Sequence, residues 1–479
     1  MIIENSPTNL DPRVGTDAYS ERIAGLIFDS LVRKDDHFVL RPWVAEKWET
    51  PDPQTYVFHL RKGIHFHDGR ALTSRDVKWT LDSLLNKTVV SLRAAAYRHV
   101  SAVEAPDDAT LIIRLSEPDA TLLWSLSDGA FGIVPYGSGK EVTSKPVGSG
   151  PFRFVSQEPD REVILERNDT YWATPAKVAR VRFAVVLDTT TRALELRKGS
   201  ADLTPPNSLT ADLVNTLRRE RNLAVVREPG TGLVYLAFNL RDPILKDVRV
   251  RQALAYAIDR DIILQALFGG YGRLADSVLP PQHWAYSSDV AHYPRSPEKA
   301  NALLDAAGFP HGPDGVRFHL TMKTSTEETT RILAAVLQQQ LREVGIALDI
   351  RSFEFGTFYS DITKGSFQLY SLRWVGGSNQ DPDIFEYVFY SGSFPPKRAN
   401  RGYYSNPQVD QLIDEGRKTV DQARRKQIYH DVQQILAREL PYIDFWYMDN
   451  VMVHSTRVRN VHPQPSGNYD FLTEVEWSR

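Results

Sequence analysis

The sequence predicts an α/β protein built of more than one domain. Three observations carry that expectation. Beyond about residue 240, strand patterns alternate with long amphipathic helices, as in 316–323, 328–344 and 346–353. The chain has 479 residues, 42% of them hydrophobic, which suggests two to four domains with large cores. The pattern changes near 240 without an internal repeat or a low-complexity linker. Two halves stitched by crossing strands are therefore expected, rather than halves hung on a flexible tether.

The elements follow in order. Asn5-Ser6-Pro7-Thr8-Asn9-Leu10-Asp11-Pro12 reads as a loop, and Ile23, Leu26, Ile27 and Leu31 then place an apolar stripe on a helix. Residues 56–60 alternate as a strand, and 63–69 ends in an Asp-Gly turn, so the two predict a hairpin-like pair. His65 and His67 would share one strand face; with no third ligand at recognisable spacing, a polar face reads better than a metal site. Thr73-Ser74-Arg75-Asp76 has the form of a capping box before a helix over 76–85. A strand over 110–115 and a short helix over 122–126 come next.

Pro146-Val147-Gly148-Ser149-Gly150-Pro151-Phe152 and Gly137-Ser138-Gly139-Lys140 are Gly-rich, yet neither has phosphate-loop spacing nor the Gly-x-Ser-x-Gly of a serine-hydrolase elbow. Strands over 152–156, 163–166 and 181–187 surround a turn at 168–172. Helices are expected over 189–198 and 209–219, and a buried strand over 233–239. The second half predicts a single helix over 247–266 and another over 296–307 ended by Gly308. A strand (316–323), a helix (328–344) and a strand (346–353) follow. Helices over 406–417 and 422–439, strands over 443–446 and 450–453, and a polar tail complete the chain.

The totals exclude several chemistries. There is no cysteine, so disulfides, thiolate metal sites and cysteine nucleophiles are ruled out. A net charge of −3 gives no sign of a nucleic-acid or anionic-membrane partner. No apolar run approaches the roughly 18 residues of a membrane span, and no signal peptide is visible.

The most informative stretch is Arg373-Trp374-Val375-Gly376-Gly377-Ser378-Asn379-Gln380-Asp381-Pro382-Asp383. A strand over 367–372 runs to Trp374 and opens into a loop rich in free backbone groups. Glycines let a ligand approach the main chain, and Trp supplies a rigid apolar wall with one N–H donor. A binding loop and a surface loop with an anchoring Trp both fit this pattern.

The order of segments resembles the solute-binding proteins that feed ATP-driven importers, in the oligopeptide, dipeptide and nickel class known as family 5. The resemblance rests on Leu10-Asp11-Pro12, on 56–69, on Leu72-Thr73-Ser74-Arg75-Asp76-Val77 and on Gly148-Ser149-Gly150-Pro151-Phe152. It continues through Asn168-Asp169-Thr170-Tyr171-Trp172, Phe238-Asn239, 247–260, and Trp374 with Asp381-Pro382-Asp383, covering essentially the whole chain.

The resemblance implies a two-lobed periplasmic-binding-protein fold of the large, type II class, with hinge-connected lobes around a ligand cleft. Lobe I would be 1–238 completed by 447–479, with 41–142 as an extra subdomain; lobe II would be 239–446. Strands over 233–239 and 443–453 would form the hinge. The implied function is capture of a peptide-like solute for a membrane permease, by binding rather than catalysis, with no cofactor and no metal. A monomer is implied, periplasmic or lipid-anchored at the outer face of the cytoplasmic membrane, its export signal removed. Trp374, Val375, Gly376, Gly377, Ser378 and Asn379 would offer main-chain groups to the ligand, as an added strand does. Ser6, Pro7, Thr8 and Asn9 would face them from lobe I.

The sequence departs from the family at both charged anchors. The aspartate that holds a peptide's α-amine is replaced within Gly377-Ser378-Asn379, in a loop one residue longer. The arginine that holds the carboxylate in dipeptide binders is replaced by Thr324, with Lys323 beside it. Arg373 could take that role or face solvent. Each lost charge-assisted bond is worth roughly 1.5–3 kcal/mol. A longer peptide, or a neutral ligand such as an oligosaccharide, is therefore expected over a zwitterionic dipeptide, with a nickel chelate ranked last. A secreted hydrolase is a further alternative, and it would need a carboxylate pair about 5–10 Å apart.

Overall fold

A computed structural model describes residues 1–127, 129, 131–374 and 381–478. The chain divides into two compact units: residues 1–230 with 417–420 and 450–479, and residues 231–416 with 421–449. The long strands Leu223–Phe238 and Tyr442–Ser455 each contribute residues to both units.

The first unit holds two four-stranded sheets. One runs in the spatial order Ile2–Ile3, Arg180–Val185, Glu162–Arg167, Phe152–Glu158, with only the first pair parallel. Ile3, Phe152, Val163, Leu165 and Phe183 pack from it against helix Ala18–Ile27 and the C-terminal Phe471 and Leu472. The other sheet is antiparallel, in the order Ala45–Asp52, Thr55–Leu60, Thr110–Leu115, Val100–Asp107. Tyr56, Phe58, Leu111 and Ile113 alternate inward from it onto Val77, Leu81 and Leu84 of helix Ser74–Leu85.

The expected hairpin between 56–60 and 63–69 does not form. Thr55–Leu60 is flanked by Ala45–Asp52 and Thr110–Leu115. Residues 63–69 use their backbone groups elsewhere: Phe66 N donates to Arg70 O and Gly69 N to Phe66 O within the turn, and His67 N donates to the distant Gly148 O, each at 2.8–2.9 Å. Backbone groups engaged in a tight turn and by Gly148 are not left for a ladder with Thr55–Leu60.

The second unit is a six-stranded mixed sheet in the order Gly272–Leu274, Tyr442–Ser455, Leu223–Phe238, Leu369–Trp374, Phe318–Ser325, Ile346–Phe353. The last three strands are parallel to one another. Helices cover both faces. Leu320, Met322 and Ile346 meet helices Val248–Ala257, Pro297–Ala306 and Glu328–Arg342 on one face. Tyr235, Tyr370 and Trp374 meet helices Phe355–Thr363, Ile384–Phe389 and Gln422–Glu439 on the other.

The single helix expected over 247–266 is two helices, Val248–Ala257 and Arg260–Phe268. The break lies at Asp259, whose side chain caps the second helix by accepting from Ile262 N at 3.0 Å. Its own N–H donates to Gln340 Oε1 at 2.9 Å. The apolar period runs through the break, which is why periodicity alone joined the two.

Candidate ligand-binding site

The three parallel strands of the second unit end at one edge of its sheet, at Ser325, Phe353 and Trp374. In open α/β sheets the carboxyl edge is where ligands are held. Trp374 leaves that edge with its ring packed on Tyr235, centroids 5.8 Å apart at 13°, and edge-on to Tyr387 at 6.0 Å. Its Nε1 is buried and has no hydrogen-bond partner among the described residues. Phe355 and Tyr359, stacked at 5.8 Å, stay exposed at the start of the helix that follows strand Ile346–Phe353.

Beneath Trp374 lies a residue that no sequence pattern singles out. Arg401 is 6% exposed. Its guanidinium lies 5.5 Å from the Trp374 ring centroid and 5.2 Å from that of Tyr359, and Nη2 donates to Tyr359 Oη at 2.9 Å. The segment carrying it is pinned by Asn400. That side chain donates to Tyr390 O at 2.9 Å and Tyr404 O at 2.8 Å, and accepts from Tyr404 N at 3.0 Å.

Burial pushes the phenols of Tyr235, Tyr370 and Tyr442 above their ordinary range, so the groups around Arg401 stay neutral. Among the described residues no carboxylate lies within ion-pair distance of Arg401. A buried cation held by aromatic faces and phenols, with no carboxylate beside it among the described residues, is chemically suited to an anionic partner.

The residues marked by sequence distribute as follows. Lys323 and Thr324 are strand neighbours, so their side chains point to opposite faces. Lys323 Nζ pairs with Asp361 Oδ2 at 2.6 Å and lies over the Phe353 ring. Thr324 is buried, on the side of the sheet that carries Met322. Arg373 and Trp374 divide in the same way, Arg373 standing opposite Val234 and Trp374 opposite Leu233 in the neighbouring strand. Val375, Gly376, Gly377, Ser378 and Asn379 lie outside the described residues. The described chain resumes at Asp381, which accepts from Asp383 N at 2.7 Å and pairs with the buried Arg425 at 3.5 Å.

Ser6, Pro7, Thr8 and Asn9 belong to the first unit. Thr8 Oγ1 donates to Asp17 Oδ2 at 2.5 Å, and Asn9 N donates to Ser20 Oγ at 3.0 Å. Ser6 Oγ accepts from Asp160 N at 3.2 Å, and Pro7 O from Gln157 Nε2 at 3.3 Å. Asp17 is held below its usual range: burial alone would raise it, but hydrogen bonds from Ser20 and Thr8 outweigh that.

Two other marked segments prove to be packing devices. The Gly-rich run lies against the end of helix Ala18–Ile27. A Cβ at Gly148 would overlap Ile27 O, and one at Gly150 would stand 2.7 Å from Ile27 C, so neither position admits a side chain. His67 clamps the run: its Nδ1 accepts from Gly148 N at 3.3 Å, and its Nε2 lies 3.1 Å from Gly150 O. Both ring nitrogens are thus engaged by backbone. Among the described residues no group of three or more His, Asp or Glu is placed to hold a metal.

Ser149 and the turn at 168–172 converge on Asp29, which is fully buried. Asp29 Oδ1 accepts from Trp43 Nε1 at 2.8 Å and Tyr171 Oη at 2.9 Å; Oδ2 accepts from Ser149 Oγ and Trp172 Nε1, both at 2.9 Å.

With this geometry in view, likeness to known proteins is informative. The family described as bacterial extracellular solute-binding proteins, family 5 Middle, matches residues 39–395. The dipeptide-binding protein of Escherichia coli K12 is 27% identical over 494 aligned positions, covering 97% of this chain and 90% of the relative. A periplasmic binding protein associated with an ABC transporter of Helicobacter pylori, solved with the peptide STSA, is 25% identical with a TM-score of 0.80, covering 100% of this chain and 97% of that one. A protein of Campylobacter jejuni solved with Ni(L-His) is 25% identical with a TM-score of 0.82, covering 99% of both chains. The α/β fold of the whole chain is therefore that of the periplasmic binding proteins.

Proposed function

This chain belongs to family 5 of the bacterial extracellular solute-binding proteins, and from that premise we propose that it is the substrate-binding component of an ABC importer for peptides, with Arg401 as the anchor for the ligand's terminal carboxylate. The observation that carries the anchor is the buried Arg401 cation beneath Trp374, which no carboxylate of the described residues neutralises. The relatives solved or named with peptides support the ligand class.

In this reading the lost arginine at position 324 is replaced from a different segment. Arg401 meets the carboxylate, and Trp374 with the following Val375–Asn379 meets the peptide main chain and its first side chains. Ser6, Pro7, Thr8 and Asn9 are the first unit's contribution. Lys323, committed to Asp361, orders the strand end rather than meeting ligand directly.

The protein acts by binding, with no bond made or broken. Ligand contacts to both units favour a closed form over an open one, by the differential affinity of the two forms. Strands Leu223–Phe238 and Tyr442–Ser455, which belong in part to both units, are the natural hinge. The working place is the outer face of the cytoplasmic membrane, free in the periplasm or lipid-anchored, as a monomer that hands its cargo to a permease. Among the described residues no helix is long and apolar enough to cross a membrane.

The test is isothermal titration of protein stripped of cargo by unfolding and refolding. Peptides of two to five residues are compared with their C-terminal amides and with oligosaccharides. Peptides bind, and amidation weakens binding by about 10- to 150-fold, the equivalent of one charge-assisted bond of roughly 1.5–3 kcal/mol. Binding of oligosaccharides instead of peptides overturns the ligand class; equal binding of acid and amide overturns the anchor.

A further inference from the structure

Helix Phe355–Thr363 carries a wider apolar stripe than its sheet covers. Phe358 and Ile362 are buried against the second unit, where the Phe358 ring meets that of Tyr370 edge-on. Phe355 and Tyr359, four residues apart and so neighbours on the helix surface, remain 55% and 39% exposed. Scattered apolar residues at a surface are ordinary, but a contiguous group marks a contact site. Among the described residues five aromatic side chains are this open to water: Tyr136, Trp477, Phe355, Tyr359 and Tyr387. The last three gather around Trp374 and Arg401.

The Phe355–Tyr359 pair is held in place before any ligand arrives. Glu354 caps the helix, accepting from Gly356 N at 2.7 Å and Thr357 N at 3.3 Å. Tyr359 Oη accepts from Arg401 Nη2 at 2.9 Å, which ties its ring to the guanidinium. Phe355 stacks on that ring at an interplanar angle of 21°. A wall ordered in advance loses little freedom on binding. On the far side of Trp374, Arg398 lies over the Tyr387 ring at 5.7 Å, but it pairs with Glu386 at 3.3 Å. Arg401 rather than Arg398 is therefore the cation suited to an anion.

We propose that Phe355 and Tyr359 form the subsite for the peptide's C-terminal side chain and select an aromatic one. With the terminal carboxylate on Arg401, the reading on which this subsite rests, the position of that side chain is constrained. Carboxylate and side chain leave the same Cα, so the ring of a C-terminal Phe lies about 4–5 Å from its carboxylate carbon. That span reaches the ring pair whose nearer member stands 5.2 Å from the guanidinium. An aromatic side chain there covers Phe355 and Tyr359 and adds offset or edge-on ring contacts. A methyl group leaves both rings in water.

The test is titration calorimetry of cargo-stripped protein with Ala-Ala-Phe, Ala-Ala-Leu, Ala-Ala-Ala and, as a control of position, Phe-Ala-Ala. Ala-Ala-Phe binds at least about tenfold tighter than Ala-Ala-Ala and Phe-Ala-Ala, with Ala-Ala-Leu between. In Phe355→Ala, an exposed change to a strong helix former, the ratio of Ala-Ala-Phe to Ala-Ala-Ala falls to about threefold or less. Ile332→Ala, an exposed apolar residue on helix Glu328–Arg342, keeps the full ratio. Equal binding of Ala-Ala-Phe and Ala-Ala-Ala overturns the subsite, as do equal binding of Ala-Ala-Leu or Phe-Ala-Ala to Ala-Ala-Phe, the full ratio in Phe355→Ala, or an equal fall in Ile332→Ala; each leaves the peptide reading standing. Failure of all four tripeptides to bind overturns that reading and the subsite with it.

Discussion

The Asp29 hub offers the sharpest prediction about how this fold is held, because its chemistry forbids a silent amide substitution. Four donors meet one buried carboxylate, two on each oxygen. Each oxygen receives one hydroxyl, from Tyr171 or Ser149, and one indole N–H, from Trp43 or Trp172. A hydroxyl can rotate to accept from an amide, but an indole N–H only donates. Whichever way the new side-chain amide turns in Asp29→Asn, its NH₂ therefore confronts a Trp N–H that has lost its acceptor.

One buried unsatisfied donor costs about 1–3 kcal/mol, and the surviving bonds lose their charge assistance, so roughly 2–3 kcal/mol in total is expected. For a unit of this size that is a fall of about 5–10 °C in melting temperature. Calorimetry at pH 7 reads it as a shift of the transition belonging to the first unit. Trp172→Phe in the same background frees one side for the amide NH₂. The double variant should then be at least about 1 kcal/mol more stable than the sum of the two singles predicts. A shift below about 1 °C in Asp29→Asn, or strict additivity in the double variant, refutes the reasoning.

The remaining predictions are briefer. Arg401→Met should weaken binding of a free-acid peptide by about 10- to 150-fold and leave its C-terminal amide unaffected, read by titration calorimetry; equal loss for both would mean Arg401 supports the wall rather than the carboxylate. Burial lowers His67 to about 4 from an ordinary 6.5, with the Gly150 carbonyl opposing. The unfolded state therefore binds a proton that the native state refuses, and stability is lost as pH falls from about 6.5 to 4, by roughly 3 kcal/mol. His67→Gln should flatten that part of the melting-temperature profile, and an unchanged slope would contradict the assignment. Arg425→Met should cost about 3–5 kcal/mol by removing the buried half of its ion pair with Asp381; a denaturant midpoint unchanged from the parent would show the pair contributes little.

Much of the fold was legible because its elements are amphipathic and punctuated. Helix Gln422–Glu439 and strand Ile346–Phe353 stand at the residues their periodicity marked. Helix Thr189–Lys198 is closed by Gly199 in the left-handed conformation, a local signal. Errors arose where tertiary contacts override local pattern. The ladder partners of Thr55–Leu60 lie about fifty residues downstream at Thr110–Leu115 as well as just upstream, and no local rule names such a partner. The first helix stops at Ala257 and Asp259 caps the next within an unbroken apolar period.

The site divides in the same way. Trp374 is placed by its strand, which alternation reveals. Arg401 is placed by Asn400 and by aromatic residues from separate segments, so no local pattern around it marks it as special. His65 and His67, adjacent in sequence pattern, have different fates because only His67 meets the Gly148–Gly150 backbone.

The central claim is that the cargo is a peptide. Native mass spectrometry of protein exported by its host in peptide-rich medium tests it most directly. The account predicts bound mass that fragments into amino-acid residues and ends in a free carboxylate. Mass spaced by hexose units, a metal chelate, or a protein that carries nothing after such growth would contradict it.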